Sequence, residues 1–239
     1  MSYAYYAPPI ARASDEVRAR ALRKVAGLTL TGLLTATASG FASVLALTVM
    51  PFLWSPIAQF AVMFGSYAVA QFAMRSVVYR STSTTTKLAG FYGGAVFEGI
   101  SFGYLLTVAM LFSAQRFGNP FVFLGEALAL VSLTGVGMFA YLMTGPKQLS
   151  LVRAGLSMLF LPMVALMVLT FVFPVGGVFG IALSALFVVI SAAGLLVQLN
   201  DVVHKMPPTM VVEGSFNVMM GLLILFWNVL SLLMRLQRR

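Results

Sequence analysis

The chain has 239 residues, 60% of them hydrophobic and only 9% charged, with a net charge of +9 and a mean hydropathy of +0.97. A soluble domain carries about 25% charged residues, so this composition excludes a soluble fold and requires several apolar runs to cross a membrane. There is no cysteine and His204 is the only histidine, which excludes disulfides, thiolate chemistry and a His-rich metal site.

The predicted class is an all-α membrane protein, because a β-barrel would show short alternating segments. Lys and Arg lie between the apolar runs. They are read as topology signals and headgroup contacts, with the lipid bilayer as the first partner. No basic patch is interleaved with exposed aromatics, so a nucleic-acid partner is not expected.

Residues 1–20 form a polar, cytoplasmic N-terminal tail without the look of a cleaved signal peptide. Pro8 and Pro9 oppose a helix at its start. Ser14 is read as an N-cap with Asp15 and Glu16 in the first turn, followed by the basic collar Arg18, Arg20, Arg23 and Lys24. The collar reads as a headgroup anchor or, alternatively, as part of a docking tail for a partner.

Residues 21–239 are read as a seven-helix transmembrane domain. The first span, about 25–50, carries Gly32, Ala36 and Gly40 at i, i+4, i+8, a small-residue seam for close helix packing. Its threonines Thr29, Thr31, Thr35 and Thr37 can bond back to their own helix. Pro51 and Pro56 bracket an uncharged turn with Trp54 at interface depth. The second span, about 57–78, has Arg75 near its end, either snorkelling to the headgroups or turned inward onto an acid. A polar, flexible turn from Arg80 to Lys87 follows.

The third span, about 88–113, holds Glu98 near its middle among Gly90, Gly93, Gly94, Gly99 and Gly103. A carboxyl in hydrocarbon is expected to be neutral unless paired, and either serves function or is a hydrogen-bonded packing residue. The fourth span is about 121–144, with Glu126 a turn or two inside, stopped by Gly145 and Pro146. The fifth, about 151–173, contains Pro162 and should kink there. A turn at Pro174–Gly177 leads to the sixth, about 178–203, and the seventh, about 209–234.

On the last span Glu213, Asn217, Gly221 and Asn228 lie within roughly 80° of one another at 100° per residue. A face with a carboxyl and two amides should meet protein or water rather than lipid, so the last helix is expected at the centre of the bundle. Most Lys and Arg fall on loops of one side, which puts the N-terminus in the cytoplasm. Seven spans then put Arg235, Arg238 and Arg239 outside, against the rule. Either these charges are tolerated, the reading preferred here, or the last segment does not fully cross.

With that topology Arg75, Glu98, Gln198, Asp201, Glu213 and Asn217 converge in depth, Glu98 about 15 Å in. A water-filled cavity open to the cytoplasm would account for them. Asp201 can equally pair with Lys205 at i+4, a bland surface contact.

The stretches RALRKVAGLTLTGLLTATASGFASVLAL, FEGISFGYLL and VISAAGLLVQLNDVVHKMPPTMVVEGSFNVMMGLLILFWNVLSLLMRL resemble the first, third, sixth and seventh helices of the Bax inhibitor (transmembrane Bax inhibitor motif) family, and within it the bacterial YccA-like branch. The resemblance implies seven helices with the last surrounded by the other six. It also implies, for several members, a proton-sensitive calcium leak held shut by two aspartates on the sixth and seventh helices, with an arginine of the second as latch. Two carboxylates in contact cannot both ionise easily, so such a pair senses pH. In this chain the two aspartate positions fall on Gln198 and Gly221, neither of which titrates. Asp201 and Glu213, one and two turns nearer the cytoplasm, are then expected either to replace the sensor or to leave it lost. The YccA-like branch is associated with a membrane AAA protease, as modulator and slowly degraded substrate.

Two functions from different classes follow. One is a passive cation leak, with calcium or protons as the transported ion and no cofactor, lined by Glu98, Glu213, Asn217 and Asp201. The other is a non-conducting interaction protein, modulating a membrane protease or docked in a larger membrane complex. An enzyme is not expected, because His204 lies in a turn and there is no metal-ligand cluster. A secondary transporter would show two homologous halves, and none is seen.

Overall fold

A computed structural model describes residues 9–143, 149–159 and 177–237. All of its regular structure is helical. Six helices are long and apolar enough to cross a membrane: α1 Asp15–Val49, α2 Pro56–Arg80, α3 Thr84–Phe117, α4 Val122–Met143, α6 Gly177–His204 and α7 Val211–Leu236. The short apolar helix α5, Ser150–Leu159, opens the fifth predicted span. The rest of that span, Pro162 with its expected kink, the stop at Gly145–Pro146, Lys147 and the turn residues 174–176 lie outside the described residues.

Small residues set the packing of α1 on α3. The predicted seam Gly32, Ala36 and Gly40 is buried. A Cβ on Gly32 would strike the Met219 sulfur and the Phe91 ring, and one on Gly40 would come within 2.9 Å of Leu106. From the other side, a Cβ on Gly99 would run into the Ser39 hydroxyl and the Ala36 carbonyl, and one on Gly103 would lie 2.5 Å from Ser43. The two backbones approach this closely because each carries only small side chains or none at the crossing, where packing and not hydrophobicity drives association. Thr31, Thr35 and Thr37 donate to the carbonyls of Leu28, Thr31 and Leu33 at 3.0, 2.9 and 2.8 Å, so they satisfy themselves on their own helix. Thr29 instead reaches the Ser215 carbonyl on α7 at 3.5 Å.

Ser14 sits at the N-cap of α1, but its hydroxyl makes no cap bond. The turn at Pro51–Trp54 is one turn of 3-10 helix, with the Trp54 indole N–H on the Leu47 carbonyl at 3.0 Å and its ring edge-on to Tyr104. α2 is interrupted by a π-helical stretch at Val69–Met74. Its apolar pattern does not announce this, because a π turn changes backbone spacing without changing residue type. The predicted flexible turn before the third span is shorter than expected, since Thr84–Thr86 form the first turn of α3. α3 ends on Gly118, whose φ of 68° lies in the left-handed region that glycine adopts freely.

α7 packs on α1, α3, α4, α6 and the end of α2. It and α3 are the most buried spans. Ser215 on α7 donates to the Val211 carbonyl at 2.7 Å and to the Val25 carbonyl of α1 at 3.3 Å. The last helix runs the full height of the bundle: its exit residue Gln237 offers a carbonyl to Arg116 at the far end of α3. The Arg235 end therefore lies opposite the basic collar.

Candidate functional site

At the basic end of the bundle α7 begins with Glu213 in its first turn, 2% exposed. Lys87, in the first turn of α3, pairs with its Oε1. The Tyr79 hydroxyl, from the last turn of α2, donates to the Glu213 main-chain carbonyl at 3.5 Å and meets the Asn217 side chain. The Arg75 guanidinium lies over the Tyr79 ring, 5.7 Å from its centroid, a cation–π distance. Three helix ends thus bring Arg75, Tyr79, Lys87, Glu213 and Asn217 together. On the next helix Asp201 is held by Arg153 of α5 and by Lys205 at 2.9 Å. The i+4 pairing expected for Asp201 is present, with a second cation added.

A second level lies deeper. Along α3, Glu98 is about 16 Å beyond Lys87. It is 0% exposed, and neither carboxyl oxygen has a hydrogen-bond partner among the described residues. Tyr67 of α2 lies within electrostatic reach of it. Helix register places Gly221 of α7 near the same height, because Gly94, one turn before Glu98, packs on Phe216 and Met220. Gln198 of α6 fills the space that Gly221 leaves: a Cβ there would collide with the Gln198 Oε1, itself buried without a partner among the described residues. Gln71, in the π stretch of α2, donates to the Met220 sulfur at 3.7 Å. Two amides, Gln198 and Gln71, therefore meet α7 at mid-height, level with the Glu98 carboxyl.

The six residues of the predicted cavity separate into these two levels. Arg75, Asp201, Glu213 and Asn217 belong to the basic end, Glu98 and Gln198 to the deep level. Arg75 stays exposed over Tyr79, which corrects the inward alternative. The expected open, water-filled cavity is also corrected for this conformation, because Glu98 is sealed and the Glu213 carboxyl is closed by Lys87. Two cavities among the described residues touch neither acid. One is an apolar slot between α1 and α4; the other lies at the basic end beside Arg153, Asn200 and Lys205. Lys87, Tyr79, Tyr67 and Gln71 were missed in the sequence. Lys87 could have been found from its place in the first turn of a helix parallel to the one carrying Glu213. Gln71 had no such signal, since its position depends on the π turn.

The family model described as Inhibitor of apoptosis-promoting Bax1 matches residues 18–239. The chain belongs to the Bax inhibitor family. None of the curated proteins compared matches it. In this Bax inhibitor family member the two positions read as the aspartate pair, Gln198 and Gly221, are in contact across α6 and α7. There an amide lies against a glycine, and neither takes up a proton at ordinary pH.

Proposed function

We propose that this Bax inhibitor family member is a non-enzymatic, cofactor-free passive cation leak in its closed state, with Glu98 as its most deeply placed carboxyl. It sits in a bacterial inner membrane as seven spans around the last helix, N-terminus in the cytoplasm. The observation that carries this reading is Glu98: fully buried, unpartnered, and level with the Gln198–Gly221 contact. A buried carboxylate without a partner is strongly disfavoured, so the closed conformation favours the protonated acid. Loss of that proton demands water or a cation beside Glu98, and supplying either requires the helices that seal it to part. A leak that rises with pH is the expected behaviour. The test is calcium entry into dye-loaded liposomes at acid, neutral and mildly alkaline pH. Wild type should conduct more at the alkaline end, and Glu98→Gln should lose that dependence. No flux at any of the three, or identical profiles for the two proteins, overturns the reading.

The Gln198–Gly221 replacement favours a second reading, a non-conducting modulator of a membrane AAA protease or a subunit of a larger complex. Its test is a pull-down in mild detergent. Ile10 is 1% exposed and its N–H donates to the Met206 carbonyl at 2.9 Å, so a tail deletion should stop at residue 8 to leave that contact whole. Recovery of a lone chain, unchanged by the deletion, counts against it.

A further inference from the structure

The slot between α1 and α4 has a volume of about 670 Å³ and an almost wholly apolar lining. α1 forms one wall with Leu22, Thr29 and Leu33, α4 the other with Leu128 and Val136, and Leu222 of α7 is part of the floor. It opens sideways, toward lipid. Both ends are bridged. At the far end the rings of Phe41 and Phe121 meet with centroids 6.4 Å apart. At the basic end the Arg18 guanidinium reaches across to the Met143 sulfur at 3.6 Å. From Leu22 to Phe41 the slot is about 28 Å long, close to the roughly 30 Å hydrocarbon thickness of a bilayer. A through-going helix, about 10–12 Å across, does not suit a slot tied at both ends. A flexible hydrocarbon chain does.

Arg18 says which chain. It lies one turn before Leu22 on the same face of α1, half-buried at the mouth of the slot. Its hydrogen-bond partner among the described residues is a thioether, a weak acceptor that leaves most of a guanidinium's donors for an anion. Its neighbour Arg20 is engaged with Glu16 at 2.6 Å, while Arg23 and Lys24 stand exposed between one and two turns further along α1 and add positive field. We propose that the slot holds one acyl chain of an anionic phospholipid from the leaflet at the basic end, with its phosphate on Arg18. The site is independent of any conduction through the Glu98 level.

The test is native mass spectrometry of the full chain from mixed micelles of phosphatidylglycerol and phosphatidylcholine. Wild type should retain one phosphatidylglycerol at energies that strip bulk lipid. Gly125→Leu puts a side chain into the slot at a position where nothing lies within 4 Å of the added Cβ. It should lose that lipid while keeping its helical circular dichroism, and Leu128→Trp gives the same readout should Gly125→Leu fold poorly. Arg18→Gln should keep a lipid but lose about tenfold in preference for phosphatidylglycerol, the worth of one charge-assisted hydrogen bond. Equal retention in wild type and the filled-slot variants overturns the proposal. So does an unchanged preference in Arg18→Gln, or a second protein copy or free fatty acid in place of the phospholipid.

Discussion

At the scale of single residues, the chain treats its two buried acids in opposite ways. Glu213 is given a cation: Lys87 reaches it with only 21% of its own side chain exposed. Glu98 is given none. A buried pair adds little net stability, but removing one partner strands the other's charge and costs about 3–5 kcal/mol. Lys87→Met should therefore destabilise by about that amount in graded-detergent unfolding. Glu213→Gln should cost less, because the freed lysine can extend to the headgroups. The double variant should recover most of the loss, and simple additivity in this cycle would show that the two are not coupled. Glu98 and Glu213 stood out in the sequence because a carboxyl in an apolar run is costly wherever it points. Lys87 did not, since a lysine at a span's edge is ordinary. Its role arises only when α3 and α7 start side by side at the same end of the bundle.

At the scale of elements, the glycines of α1 and α3 decide how deeply Glu98 is buried. Gly99, next to Glu98, lies against the Ala36 carbonyl and Ser39, so α1 closes over that part of α3. Part of the obstruction is the Ala36 backbone, which cannot rotate away as the end of a side chain can. Gly99→Val should cost about 3 kcal/mol or more, at the upper end for overpacked sites, and should expose the Glu98 level to water. Gly65→Ala, with nothing within 4 Å of its Cβ, should be neutral or stabilise α2 by up to about 1 kcal/mol. Thermal unfolding in one detergent compares them, and equal effects would remove the crossing from the account. The spacing of Gly32, Ala36 and Gly40 made this seam legible, because a small residue every four positions forms one stripe whatever it packs on. The π stretch in α2 was not legible. It carries Gln71 to Met220 through a change in hydrogen-bond register that leaves the apolar pattern intact.

At the scale of the whole molecule, helix ends sort the charges. The end holding Arg18, Arg20, Arg23, Lys24, Arg80 and Lys87 also gathers Arg153 and Lys205, tied through Asp201, and the docked Ile10. The opposite end holds Arg116 and Arg235 with the Gln237 carbonyl. This asymmetry was visible in the sequence because it needs only the order of apolar runs and loops. The lateral slot was not, since it depends on α1 and α4 touching at their ends and parting between them. Loops rich in Lys and Arg resist translocation, so the proposed orientation puts the crowded end in the cytoplasm, with the few C-terminal arginines as a tolerated exception. The absence of cysteine makes the assignment simple to check. Thr82→Cys reports from the exposed turn between α2 and α3, and Gln115→Cys from the exposed last turn of α3 at the other end. In intact spheroplasts a membrane-impermeant maleimide should label Gln115→Cys and leave Thr82→Cys untouched until the membrane is opened. Labelling of Thr82→Cys in sealed cells would invert the molecule. It would place Arg18 and its slot in the outer leaflet and present the Lys87–Glu213 pair to the outside.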